Sequence, residues 1–241
     1  MSARSRLYHR GRECGNRLGR PAEAAVSKTF ASAGFCASAG SMAVRTLFAT
    51  RFYEAELGAP ALVEELEEAC LALAAEDVAG RRWSREHGYH GYTSYASLND
   101  LPARDPRFAE LARLLGRHVA AFAEASAMDL GRRRLRLDSL WVNVLKPGGV
   151  HSAHIHPHSV VSGTFYVAVP PGAGRLKLED PRLPMLMAAP ARREDAPEDL
   201  RTFVYAEPKP GSLFLWESWL RHEVVTGSGK GERISISFNY R

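Results

Sequence analysis

Four of the nine histidines of this 241-residue chain stand within eight positions, His151, His154, His156 and His158, directly after the turn-forming run Pro147-Gly148-Gly149. In an extended strand alternate side chains leave the same face, so His154 and His156 can both reach one metal ion. Imidazole suits iron, zinc, copper and nickel, so the pair alone says metal without naming it. Pro157 cannot donate to a strand ladder and bends the chain, which takes His158 off that face. His151 and His158 read more simply as solvated loop residues or as imidazoles bonded to backbone carbonyls.

Downstream, Pro210-Gly211-Ser212-Leu213-Phe214 leads to His222, and Arg233 follows eleven positions later in Glu232-Arg233-Ile234-Ser235-Ile236-Ser237-Phe238. Arg233, Ser235, Ser237 and Asn239 alternate with Ile234, Ile236 and Phe238, which gives the last strand one polar and one apolar face. In an open sandwich the polar face meets water. In a small barrel with helices packed outside, it lines the pocket and puts Arg233 and Ser235 together there. Asn143 and Trp141 share a strand face just upstream of the histidines, and Tyr166 lies on the strand after them. Trp141 reads as a core residue, whereas Asn143 and Tyr166 are candidates for the pocket lining.

On these residues the stretch from Leu140 to Tyr240 resembles the 2-oxoglutarate/Fe(II) oxygenase superfamily, whose pattern is a His-x-acid pair, a distant His, and an Arg or Lys further along. The runs WVNVLKPGGVHSAHIHPHSVVSGTFYV, EDPR and ERISISFN are similar to a bacterial oxygenase family within it. The resemblance implies a mainly β protein with N-terminal helices, built as a double-stranded β-helix (jelly roll, cupin-like barrel). It also implies a dioxygenase that uses Fe(II), with 2-oxoglutarate as co-substrate and O2, to hydroxylate a substrate the residues do not name. It makes His154 and His156 the proximal metal ligands, His222 the distal ligand, and Arg233 the anchor of the far carboxylate of 2-oxoglutarate. Arg233-x-Ser235 looks like an anchoring motif of this class, and Asn143 and Tyr166 are further residues able to bond the co-substrate.

The chemistry agrees with that resemblance. Three protein ligands leave positions open on Fe(II) for a chelating co-substrate and O2, and a planar guanidinium grips a carboxylate in a bidentate pair. One departure matters: His156 stands where the superfamily has a carboxylate. A metal on three neutral imidazoles keeps its full charge, which favours a dianionic co-substrate and makes higher oxidation states harder to reach.

A cupin-type metal protein, whether a 2-oxoglutarate-independent dioxygenase, an isomerase or a binding module, is the main rival. Gly148, five residues and His154-x-His156 match the start of a cupin motif, but Val160 and Val161 stand where its acid belongs. An oxygenase explains Arg233; a cupin does not. A scaffold in which a metal only stabilises a protein-binding face is a third alternative.

The elements that must hold these residues are legible in outline. Leu62, Val63, Leu66, Ala69 and Leu73 recur at helical spacing and predict a helix from Pro60, a favoured first-turn residue, to about Ala79. Phe108, Leu111, Leu115, Val119 and Phe122 predict a second from Pro106 to Met128, capped by Asp105, with Gly131 ending the helical half. Thereafter short β-branched and aromatic runs predict strands at Leu135 to Leu145, Ser162 to Val169, Arg175 to Leu178, Thr202 to Ala206, Ser212 to Trp216 and Ile234 to Tyr240. An upstream stretch, Leu47 to Leu57, is also strand-like. The segment from Pro181 to Leu200 reads as a long loop able to cover a pocket mouth.

Residues 42–241 thus form a single domain, with helical support over about 60–130 and the barrel over about 133–241. Residues 1–41 read as a disordered leader, or as sequence ahead of a true start at Met42. They carry seven Arg or Lys and two acids, leaving 25 charges of each sign from Met42 onward, so the net charge of +5 belongs to the leader. The only basic cluster in the domain, Arg132, Arg133, Arg134 and Arg136, reads as a solvated edge that discourages strand pairing. This balance argues against a nucleic-acid partner. No apolar run is long enough to span a membrane. Three cysteines, Cys14, Cys36 and Cys70, form neither a disulfide framework nor a zinc pattern, which suits a reducing cytoplasm.

Overall fold

The structure is a computed structural model that describes residues 43–241. The expectations for residues 1–41, with Cys14 and Cys36, lie outside the described residues. The chain divides into two units, Met1–Arg45 and Thr46–Arg241, and the second carries every element below. No helix among the described residues is long and apolar enough to cross a membrane.

The elements run β1 (Phe52–Glu56), α1 (Pro60–Glu76), α2 (Val78–Glu86), β2 (Gly91–Thr93), α3 (Pro106–Ala125), β3 (Leu137–Leu145), β4 (His151–His154), β5 (Val161–Ala168), β6 (Leu176–Glu179), β7 (Phe203–Ala206), β8 (Ser212–Glu217), β9 (His222–Val224) and β10 (Arg233–Tyr240). A six-stranded sheet in the order β1-β8-β5-β10-β3-β2 accompanies a four-stranded one in the order β4-β9-β6-β7. All of these strand pairs are antiparallel. This is the mainly β, double-stranded β-helix architecture, with its helices in the N-terminal half.

The period-2 pattern assigns the faces of the large sheet. Leu140, Val142 and Val144 of β3, Phe165 and Val167 of β5, Leu213 and Leu215 of β8, and Ile234, Ile236 and Phe238 of β10 pack with Leu66 and Cys70 of α1 and Leu111, Leu115, Val119 and Phe122 of α3. Burial raises the Cys70 thiol well above its ordinary range, so it stays protonated core. The opposite face of the same strands carries Trp141, Asn143, Thr164, Tyr166, Arg233, Ser235 and Ser237, which line a pocket. Tyr166, Leu176, Leu178, Phe214, Trp216 and Leu220 form a second apolar core.

Three helix boundaries differ from the sequence pattern. The first predicted helix breaks at Asp77, which adopts φ −71° and ψ 88° and caps a new helix, α2, by accepting the Gly80 amide at 2.9 Å. The same carboxylate accepts from Tyr92 Oη at 2.9 Å and from Ser97 Oγ, so α2 is tied to β2 and the loop beyond. Asp105 caps α3 as its sequence position suggests, accepting the Arg107 amide. Yet α3 ends at Ala125, three residues short of the expected Met128. Ala127 takes φ +51°, its amide reaches Glu124 and that of Met128 reaches Ala123, a Schellman ending built on alanine instead of glycine.

The short strands β2, β4 and β9 have too few residues to show a period. The Pro181–Leu200 loop contains two short 3-10 turns, Leu183–Met185 and Glu198–Leu200, and contributes no residue to the pocket lining, contrary to its expected role as a cover. Arg132, Arg133, Arg134 and Arg136 are exposed.

Candidate metal centre and co-substrate pocket

The backbone brings distant histidines together. His154 at the end of β4 faces His222 at the start of β9 in the strand register. His156 lies two residues beyond β4, where its amide donates to the Ser218 carbonyl at 3.0 Å and keeps the chain beside the segment leading into β9. Ring centroids lie 4.4 Å apart for His154 and His222, 5.0 Å for His154 and His156, and 5.2 Å for His156 and His222. One nitrogen from each ring lies within 4.8 Å of the others, a set able to hold a metal ion.

Two of these rings are held in one tautomer. Nδ1 of His154 donates to the Ser152 carbonyl at 2.6 Å and Nδ1 of His222 to the Leu220 carbonyl at 2.8 Å, since a carbonyl can only accept. Each therefore turns a bare Nε2 outward, the arrangement seen when imidazole serves as a ligand. Burial, aided by the neighbouring histidines, pushes His222 down to about 3 and His156 down to about 4. Both rings are neutral near pH 7 and need shed no proton to bind a cation. His158, by contrast, is exposed and takes φ +72°, off this face.

Asn143, Ser235 and Tyr166 occupy one rung of the large sheet, with Ser235 directly opposite Asn143 on one side and Tyr166 on the other. Arg233 stands one step along β10, only 4% exposed. Its guanidinium lies 4.8 Å above the Tyr166 ring, and its Nη1 donates to Ser235 Oγ at 3.3 Å. No acid pairs with it among the described residues, and its Nε, the Tyr166 hydroxyl and the Trp216 indole nitrogen are buried without hydrogen-bond partners. Buried polar atoms of this kind are costly unless a ligand satisfies them. A carboxylate suits the chemistry of all three donors.

The amide of Asn143 is already engaged. Its Oδ1 accepts from Thr93 Oγ1 at 2.9 Å and Tyr89 Oη at 3.4 Å, and its Nδ2 donates to Ser237 Oγ at 3.1 Å. The structure thus gives Asn143 a bracing position within the wall, although it lines the pocket as the sequence suggests.

Two residues depart from their sequence reading. Trp141 is not simply core: its ring lines the pocket, 5.9 Å from that of His156 and 5.2 Å from that of Tyr95. His151 is not a solvated loop residue. It lies half-buried in the lining, and its Nε2 is hydrogen-bonded to the Tyr89 hydroxyl. Burial and the nearby Arg233 push it down to about 3. Burial keeps the Tyr89 hydroxyl protonated, and its oxygen can donate to or accept from His151 Nε2 according to the imidazole tautomer.

The pocket wall supplied by the helical half was missed altogether, namely Trp83 of α2, His87 at its C-terminal cap, and Tyr89, Thr93 and Tyr95 around β2. A signal existed in the three tyrosines of the run Tyr89-His90-Gly91-Tyr92-Thr93-Ser94-Tyr95, which no amphipathic helix requires.

Residues 139–239 match the model of the family described as "Putative 2OG-Fe(II) oxygenase". No curated protein matches the sequence. Among solved structures the chain is similar to a prolyl-4-hydroxylase of Pseudomonas putida, with TM-score 0.50 and 16% identity over 80% of this chain and 88% of that one. It is similar to the epimerase SnoN in complex with Fe3+, alpha ketoglutarate and nogalamycin RO, with TM-score 0.58 and 15% identity over 79% and 78%. It is similar also to HygX of Streptomyces hygroscopicus with nickel and 2-oxoglutarate bound, with TM-score 0.50 and 16% identity over 80% and 82%. At such identities the likeness is one of fold. The matched segment holds the three clustered histidines and Arg233, and over that segment the chain is similar to the 2OG-Fe(II) oxygenases.

Proposed function

We propose that the chain is a 2-oxoglutarate-dependent oxygenase, a hydroxylase that holds Fe(II) on His154, His156 and His222 and anchors the far carboxylate of 2-oxoglutarate on Arg233. The observation that carries this reading is Arg233 itself, a buried cation with no acid partner among the described residues, facing the same pocket as the three imidazoles. When bound, Fe(II) supplies the redox centre at which O2 is spent, with one oxygen atom going to 2-oxoglutarate, which becomes succinate and CO2, and one to the substrate.

The chain's own residues bind and orient. The backbone carbonyls of Ser152 and Leu220 fix the two imidazoles they hold. Tyr166 supports the guanidinium through its ring and has a free hydroxyl to offer the same carboxylate. Ser235 steadies the guanidinium from the neighbouring position. Trp216, stacked edge-on against His222 at 4.6 Å, and Trp141 exclude water from the metal side.

Anaerobic titration of Fe(II), then 2-oxoglutarate, tests the reading, followed by O2 and measurement of succinate. We expect one iron per chain, 2-oxoglutarate binding that requires the iron, and slow succinate release without added substrate. Iron binding with no affinity for 2-oxoglutarate would favour a cupin-type protein instead.

A further inference from the structure

A single cavity of about 520 Å³ takes in the three histidines and Arg233 and extends outward to a wall contributed by the helical half. Trp83, Tyr95, Trp141, Val150 and Ile155 are among its apolar lining residues. Three of these are also open to solvent, Tyr95 at 51%, Val150 at 47% and Ile155 at 45%, so large apolar side chains form the rim where exposure is otherwise unfavourable. Tyr95 and Trp141 meet edge to face at 68°, which leaves ring faces for a third flat group. The volume falls within the range of small-molecule pockets.

The charge pattern is as informative. Among the described residues no Asp, Glu or Lys lines the cavity, and Arg233 is the one arginine there. With three neutral imidazoles as ligands, a divalent metal and Arg233 together exceed the charge of a 2-oxoglutarate dianion by one. An entering cation would meet like charge, and an entering anion would find Arg233 already engaged. Either would be desolvated without a partner, which is costly. We propose that the substrate is an uncharged, ring-bearing small molecule seated against Trp83, Tyr95 and Trp141. The inference rests on the oxygenase reading above.

The test uses the protein loaded anaerobically with Fe(II) and 2-oxoglutarate, titrated calorimetrically with indole, tryptamine and indole-3-acetate, which share a ring and differ in charge. Indole should bind, with its proton resonances broadened by the iron, and both charged probes should bind at least about tenfold more weakly, equivalent to one lost favourable contact or more. Tyr95→Ala should weaken indole about threefold to tenfold, the scale of one aromatic contact, while Tyr95→Phe should stay within about twofold. Tighter binding of tryptamine would replace the proposal with an aromatic cage for cations, and tighter binding of indole-3-acetate with a second anion site. Absence of indole binding, absence of broadening, or no effect of Tyr95→Ala would overturn it. Iron content and 2-oxoglutarate affinity, measured on the same samples, separate any of these outcomes from a failure of the oxygenase assignment.

Discussion

A guanidinium shut away from water must be neutralised, and among the described residues no acid pairs with Arg233, which bonds the Ser235 hydroxyl and lies over the Tyr166 ring. Arg233→Gln keeps a polar side chain but removes the charge, so 2-oxoglutarate affinity should fall by about 2–5 kcal/mol, the cost of losing one member of a buried charge-assisted pair. That is roughly 30-fold or more. Iron content should not change, and calorimetry beside metal analysis checks both. Arg233→Lys should restore binding only in part, because an ammonium has no bidentate fork. At the metal, His154→Ala, His156→Ala and His222→Ala should each abolish stoichiometric iron, whereas His158→Ala should keep it, since His158 is exposed and turned away. Retention in the His156 variant with loss in the His158 variant would reverse the two. At this scale the sequence was most readable where spacing alone decides direction: His154 and His156 in near succession, and the polar face of β10. It was least readable for His151, whose burial depends on Tyr89, a residue 62 positions away.

The large sheet admits no extra carbon at its centre. Gly163 of β5 lies under Phe238 and Leu215, and a Cβ built there falls 2.5 Å from Phe238 Cζ and 2.6 Å from the Phe214 carbonyl oxygen. The side chain can shift, but the backbone oxygen is held in the β5–β8 ladder. Gly163→Ala should therefore cost about 1–3 kcal/mol by overpacking, lowering the melting temperature by roughly 2–4 °C for each kcal/mol. An unchanged melting temperature would mean that β5 and β8 can part without penalty. The long strands were visible in advance because eight or nine residues display their period. β2 and β9, three residues each, take their conformation from pairing with partners, and no local pattern encodes that. The break between α1 and α2 was hidden for a related reason: Asp77 acts as a cap through Gly80, Tyr92 and Ser97, and two of those partners belong to the far side of α2.

For the molecule as a whole, several neutral imidazoles are stored in one cavity. His151, His156 and His222 hold off protonation until about 3 to 4, chiefly because of burial, whereas an unfolded chain protonates them near 6.5. As pH falls below about 6.5 the unfolded state takes up protons that the folded state refuses, so their contribution to stability is full above that pH and is lost toward 3 to 4. The metal-free protein should melt at progressively lower temperature from pH 7.5 to pH 5. A flat profile over that span would show that the cavity opens to admit protons. The domain's fold class could be anticipated from the whole stretch after Gly131, but the pocket's second wall could not, because it is made where the α2–β2 segment folds back across β3.

Among the described residues β4 is an outermost strand of its sheet, four residues long, paired only with β9 and irregular between His151 and His154. Such a margin would ordinarily fray. A metal joining His154 to His222, as proposed above, would act as a rivet through that margin, so that iron loading and strand closure would become one event. Amide hydrogen–deuterium exchange over residues 151–156 should slow by at least about tenfold on iron loading, well beyond any change in the β3–β10 ladder, since local opening would then require losing the metal. Equal exchange with and without iron would show that the margin holds itself shut.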